Sequence, residues 1–233
     1  QVGLILAEDG RKMSKRWGNV INPDQIIESH GADAMRVYEM FMGPFNQSVA
    51  WSTNGLTGAR KFLDKVWNLS EKLSDNADSR DIERLLHKTI KKVGSDIEAL
   101  AFNTAVSSMM ILVNAFTSET TVNKENFRSF ILLLAPFAPH LAEELWQVAG
   151  GSGSVFKQAW PKFSQDKACD EKIKLVVQVN SKVREALEME VDLDEDAVKN
   201  LAMASEKVVK WLDGQEIVKV IFVKNKLINF VLK

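Results

Sequence analysis

From Gly55 to Gly150 apolar side chains recur three or four residues apart, and that spacing most constrains how the chain folds. In "RKFLDKVWNLSEKL" Phe62, Leu63, Val66, Trp67, Leu69 and Leu73 keep mostly to one face. Ile82, Leu85, Leu86, Ile90, Val93, Ile97 and Leu100 do the same in the next segment. A third helix is expected over "NTAVSSMMILVNAF" with Asn103 as its cap, a fourth over "KENFRSFILLLA" stopping near Pro136, and a fifth from Pro139 to Gly150. Short links between such helices predict an antiparallel helical bundle. Upstream, "GLILAEDGRK" reads as a short strand and turn. "NPDQIIESHG" reads as a helix with Asn22 as cap and Pro23 in its first turn, and "ADAMRVYEMFMG" as a second helix ending at Gly43-Pro44.

The periodicity changes after "GGSGS" (150–154) and an aperiodic stretch. "KIKLVVQVN" and "KVREALEMEV" carry strand patterns, a helix is expected over Asp194–Leu212, and "EIVKVIFV" and "KLINFVLK" form a hairpin across "KNK". The expected class is therefore mainly α, with a small α/β domain of ββαββ order at the C-terminal end. The divisions fall at 1–54, 55–167 and 168–233.

Charge narrows the possible functions. Lys and Arg total 30 against 31 Asp and Glu, so no global field attracts a polyanion and any such site must be local. Cys169 is alone, and His30, His87 and His140 lack ligand spacing, so neither a disulfide framework nor a metal site is supported. The longest apolar run, "FILLLAPFAPHLA", is interrupted by Pro136 and Pro139 and falls short of the roughly 18 residues of a membrane span. A cytoplasmic protein without a membrane partner is expected. The start at Gln1, mid-strand in character and without methionine, suggests a piece of a longer chain.

"GRKMSKRWGN" (10–19) gathers Arg11, Lys12, Lys15 and Arg16 between two glycines. Compact ammonium groups on a mobile loop suit phosphate oxygens, most of all where charge grows as a phosphoanhydride breaks. The loop is neither a Walker A sequence nor a G-x-G-x-x-G. A solvated loop is the plainer alternative, and the string alone leaves both open.

The surrounding sequence adds more. "KMSKRWGNVINPDQIIESHGADAMRVYEMFMGPFNQSVAWSTNGLTGARKFLDKVWNL" resembles the region of the K-M-S-K-S signature loop in class I aminoacyl-tRNA synthetases, and within them the bacterial leucyl branch. "AFNTAVSSMMILVNAF" and "LLLAPFAPHLAEELW" resemble the helical tRNA-binding domain shared by the leucyl, valyl, isoleucyl and methionyl enzymes. "VVQVNSKVREAL" and "EIVKVIFVKNKLINFVLK" resemble the small C-terminal domain of the leucyl ones.

The resemblance implies ATP-dependent activation of leucine, with magnesium accompanying ATP, and transfer of the aminoacyl group to leucine tRNA by a monomeric enzyme. It makes Lys12 and Lys15 the lysines that stabilise the leaving pyrophosphate, Lys15 being the preferred ATP contact. Met13 would pack the loop and Ser14 would fix its shape. Arg16 occupies a position that is usually serine, where it either contacts phosphate or tRNA or points to water. The family's H-I-G-H motif is absent: His30 precedes Gly31 but not the rest. ATP and leucine would thus be handled through a missing N-terminal half, and the chain alone is expected not to activate leucine.

Transfer RNA contacts are expected from Arg60, Lys61 and Lys65, from Lys88, Lys91 and Lys92, and, on the C-terminal domain, from Lys182, Arg184, Lys224 and Lys226, each of which is otherwise the wet face of its element. Residues 199–233 hold 7 Lys against 3 acidic residues, whereas the acidic "EMEVDLDED" is expected to face away from RNA. Trp67, Trp146 and Trp211 are expected in cores, with Met40, Met42, Met109 and Met110 as filler, and Trp17 is expected to pack the loop onto the body. His140 reads as a satisfied helix-start histidine. A sibling synthetase for valine, isoleucine or methionine and a tRNA-binding module without chemistry remain alternatives.

Overall fold

The computed structural model describes residues 3–76, 78–169 and 172–233; the strand character expected at Gln1 and Val2 lies outside the described residues. The chain divides into two compact units, Gln1–Ala168 and Cys169–Lys233.

The first unit runs β1 (Ile5–Leu6), α1 (Pro23–His30), α2 (Ala32–Phe41), β2 (Val49–Ala50), α3 (Thr53–Leu69), β3 (Leu73–Ser74), α4 (Arg80–Glu98), α5 (Phe102–Ser118), β4 (Val122–Asn123), α6 (Lys124–Leu134), α7 (Pro139–Val148) and α8 (Gln165–Ala168). Side chains start four of these eight α-helices. Asn22, Ser52, Ser79 and Asn123 each accept a hydrogen bond from an amide in the first turn of α1, α3, α4 and α6, satisfying donors that have no partner within the helix. Asn103 does not do this for α5. That helix begins after Ala101, because Leu100 takes φ +55° and the Ala101 amide returns to Asp96 O at 2.7 Å, closing α4 with a three-residue link. Asn103 is therefore already inside the first turn.

One core runs through this unit. Val37, Tyr38 and Trp51 join Leu56 and Val66 of α3, Leu86 and Val93 of α4, Met109 and Phe116 of α5, Phe127 and Phe130 of α6 and Leu145 of α7. Each such side chain contributes roughly 1.5–3 kcal/mol by leaving water. The first 54 residues thus pack on the helices that follow them. The β1–β2 pair is parallel, with Ile5 opposite Val49, so the short strand's partner lies 44 residues along the chain. Met109 is fully buried and Met40, Met42 and Met110 pack at the core's edge. Trp146 is buried as expected, but Trp67 is 40% exposed, because it sits at the border of the apolar face of α3.

The second unit runs β5 (Lys172–Val179), β6 (Lys182–Glu190), α9 (Glu195–Ala204), α10 (Glu206–Leu212), β7 (Ile217–Val223) and β8 (Leu227–Leu232). The sheet order is β6-β5-β8-β7: two antiparallel hairpins joined through the parallel pair β5 and β8. Asn180 and Ser181, both with positive φ, make the first turn. Val198, Ala202 and Val208 of the helices bury with Leu175, Val177, Ile228 and Phe230 of the central strands. The single helix expected from Asp194 to Leu212 is two helices, broken at Ser205, whose hydroxyl donates to the Glu185 carboxylate on β6. Trp211 is 48% exposed and lies outside the core, under the Arg184 guanidinium.

Candidate functional site

The basic loop leaves β1 through a tight turn. The Gly10 amide donates to Ala7 O and the Ala7 amide to Arg11 O, both at 2.9 Å, and Leu6 bridges Lys12. Gly10 (φ +76°) and Gly18 (φ +61°) take the left-handed conformations at its two ends that other residues adopt at a cost. Its foot is tied to α3: the Glu8 carboxylate accepts from Thr53 N at 3.1 Å and from Thr53 Oγ1 at 2.6 Å, and these bonds hold its carboxyl below the usual range.

Within the loop, Ser14 Oγ accepts from the Arg16 amide at 3.2 Å and starts a 3₁₀ turn over Lys15–Trp17. Asn19 reaches back, its Oδ1 accepting from the Ser14 amide at 2.8 Å and its Nδ2 donating to Lys12 O at 3.5 Å. Met13 is half-buried and packs against the core. Lys12 and Lys15 are exposed, and among the described residues neither ammonium has an ion-pair or hydrogen-bond partner. Two uncompensated cations on a braced backbone are what an anionic group such as a polyphosphate requires.

The neighbouring cations are different. Arg11 is bonded to Asp9, Nε to Oδ2 at 2.8 Å, which lowers the Asp9 carboxyl, and its guanidinium lies 5.1 Å from the centre of the Trp17 ring. The Arg16 guanidinium lies over the same ring at 5.6 Å. Trp17 is 58% exposed, so it engages its own loop and not the body. Where sequence reasoning sets Trp17 on the body, Asn19 and Arg11 are the structural members to which it assigns no individual role. Asn19, five residues after Ser14 and beside Gly18, was their one local signal.

The helix cations fall into three groups. Arg60 is committed, its Nη1 donating to His30 O at 3.0 Å and its Nε to Asp64 at 2.9 Å; Lys65 donates to Asn114 at 3.0 Å. Lys61 is exposed with no partner among the described residues. Lys88, Lys91 and Lys92 come together along a cleft of about 560 Å³ walled by α4, α5 and residues 163–168. There Lys92 clasps both oxygens of Asp96 at 2.5 Å, Asp96 being 7% exposed and also accepting from Thr104 Oγ1. Lys91 lies 5.1 Å from the centre of the Phe163 ring. His87, also on α4, has an Nδ1 that accepts from the Ser164 amide at 3.2 Å; burial, aided by Lys167, pushes that imidazole's pKa down.

In the second unit the four candidates do not cluster. Lys182 opens β6 beside the Asn180–Ser181 turn, whereas Lys224 and Lys226 flank the turn between β7 and β8, at the other end of the sheet. Lys224 pairs with Asp192 at 3.0 Å and Asn225 also binds it, so part of the acidic stretch sits on that basic turn and the Asp192 carboxyl is held low. Arg184 stacks on Trp211 at 3.4 Å, its buried Nε without a hydrogen-bond partner among the described residues.

Comparison with known proteins supplies context. The family model described as anticodon-binding domain of tRNA ligase matches residues 79–199, and that of class I tRNA synthetases (I, L, M and V) matches residues 1–52. The leucine–tRNA ligase of Alkaliphilus oremlandii (strain OhILAs) is 45% identical over 232 residues, 99% of this chain and 29% of that protein. A solved ternary complex, Agrobacterium radiobacter K84 agnB2 LeuRS with tRNA and LeuAMS, matches all of this chain and 33% of that one, with a TM-score of 0.87 at 30% identity. The chain thus spans less than a third of the curated relative's length.

Proposed function

Because the chain belongs to the family of tRNA-ligase anticodon-binding domains, we propose that it is the part of a leucine–tRNA ligase that supplies the K-M-S-K loop and holds the tRNA. Residues 1–54 carry the signature loop and its connecting region, 55–167 the antiparallel helical tRNA-binding bundle, and 168–233 the small α/β domain, whose elements run ββααββ. Leucine activation and the rest of the ATP site belong to ligase parts outside this chain, which alone does not form the adenylate. The enzyme works in the cytoplasm as a monomer.

The observation that carries this reading is the pair of uncompensated lysines, Lys12 and Lys15, on a braced loop at one end of a chain whose 79–199 region matches a tRNA-binding family. When ATP is cleaved, charge builds on the pyrophosphate oxygens; fixed ammonium groups stabilise that charge without reorganising. Met13 anchors the loop in the core, and Ser14 and Asn19 set its backbone. Magnesium accompanies ATP as part of the substrate.

For tRNA, Lys61 is the first-unit cation best placed to meet phosphates, and Lys182 and Lys226 those of the second; Lys88 and Lys91 line the α4 cleft. Arg60, Lys65, Lys92, Arg184 and Lys224 chiefly hold the protein. The test joins this chain to the part of the Alkaliphilus oremlandii relative that it does not span and measures leucine-dependent pyrophosphate exchange. Lys15→Ala is expected to lower the rate on the order of 10²-fold to 10³-fold. An unchanged rate would contradict the loop's catalytic role, whereas exchange by the 233-residue chain alone would contradict the division of labour.

A further inference from the structure

The two legs of the basic loop are held together by a ring. Arg11, on the incoming leg, is fixed by Asp9 through Nε and through its own amide, which donates to Asp9 Oδ1 at 2.9 Å. Its guanidinium meets Trp17 on the outgoing leg at 5.1 Å, and Arg16 meets the same ring at 5.6 Å. Asp9, Arg11, Trp17 and Arg16 therefore form a chain of contacts across the base of the K-M-S-K segment. Asn19 makes a second crossing, between Ser14 and Lys12. Both crossings leave the Lys12 and Lys15 ammonium groups uncompensated, and the first occupies the other two cations.

We propose that Trp17, gripped by Arg11 and Arg16, is a positioning clasp that sets where the loop presents Lys12 and Lys15, and that Arg16 serves this clasp and not a phosphate. The inference rests on the reading of Lys12 and Lys15 given above. It assigns a role to the arginine that stands where related loops carry serine. Each exposed cation–π contact favours the held geometry by a factor of about two to five, and two of them multiply to about tenfold.

The joined full-length ligase tests this. Trp17→Ala is expected to lower kcat for leucine-dependent pyrophosphate exchange about tenfold with the KM for leucine unchanged, and Trp17→Phe to recover it to within about threefold, since the ring face is kept. Arg16→Gln, which removes one contact, is expected to cost about threefold. Lys15→Ala is run beside them. If it abolishes exchange while Trp17→Ala stays within about twofold of the parent, the clasp is overturned and the lysine role stands. If Lys15→Ala is also without effect, the underlying reading fails and takes the clasp with it. In the 233-residue chain, Trp17→Ala is further expected to speed hydrogen exchange at the Ser14 and Arg16 amides about tenfold while α3 is unaffected. Unchanged exchange at those two amides also overturns the proposal.

Discussion

Asp33 on α2 holds His140 at the start of α7: its Oδ1 accepts from His140 Nδ1 at 2.8 Å and its Oδ2 from the Leu141 amide at 2.7 Å. A carboxylate 107 residues away thus performs the capping that Ala138, the residue before α7, cannot. The same helix α2 sends Arg36 to the carbonyls of Pro136 and Phe137. The segment that carries the basic loop is thereby fixed to the last long helix of the first unit.

Loss of that carboxylate leaves two first-turn donors unmet. Asp33→Ala is expected to destabilise the first unit by about 1–3 kcal/mol, and Asp33→Asn by less, because the amide oxygen still accepts one bond. Urea unfolding followed by circular dichroism measures both.

Protonation of His87 opposes folding. Burial lowers its pKa in the folded state, so the unfolded chain binds the proton first as pH falls. The stability it contributes is fully present above the unfolded value near 6.5 and declines as pH drops through the lower folded value. The protonated ring also cannot accept from the Ser164 amide. Unfolding midpoints between pH 7.5 and 5.5 are expected to fall, and His87→Gln to flatten that slope.

Lys61 and Lys92 separate binding from structure. Lys61→Ala is expected to weaken tRNA binding and reduce the salt slope by about one. Lys92→Ala is expected to leave the slope unchanged but to destabilise the first unit, since Asp96 is nearly buried and would lose its counter-ion. Fluorescence anisotropy across a salt series, paired with urea unfolding, distinguishes the two.

Local chemistry made much of the fold legible. Asn22-Pro23 and the runs of α3 and α4 announced helices whose caps and faces depend on adjacent residues. Asn103 was misleading because the close of α4 at Leu100 and Ala101 left it no place outside the helix. The break at Ser205 depends on Glu185 on another element, and the exposure of Trp211 on a cation from β6, so neither is visible in a local window. At the loop, the lysines were readable as chemistry. The partition between free cations (Lys12, Lys15) and occupied ones (Arg11, Arg16) was not, because it depends on a ring contact across a turn.

The most direct measurement is binding of the 233-residue chain to a leucine tRNA transcript, beside a valine tRNA and an RNA duplex of equal length, over a salt series. Tighter binding to the leucine tRNA, with affinity falling steadily as salt rises, is expected of a chain whose lysines meet phosphates on a shape it recognises. Equal affinity for all three, or none for any, would contradict a tRNA-holding role for this chain.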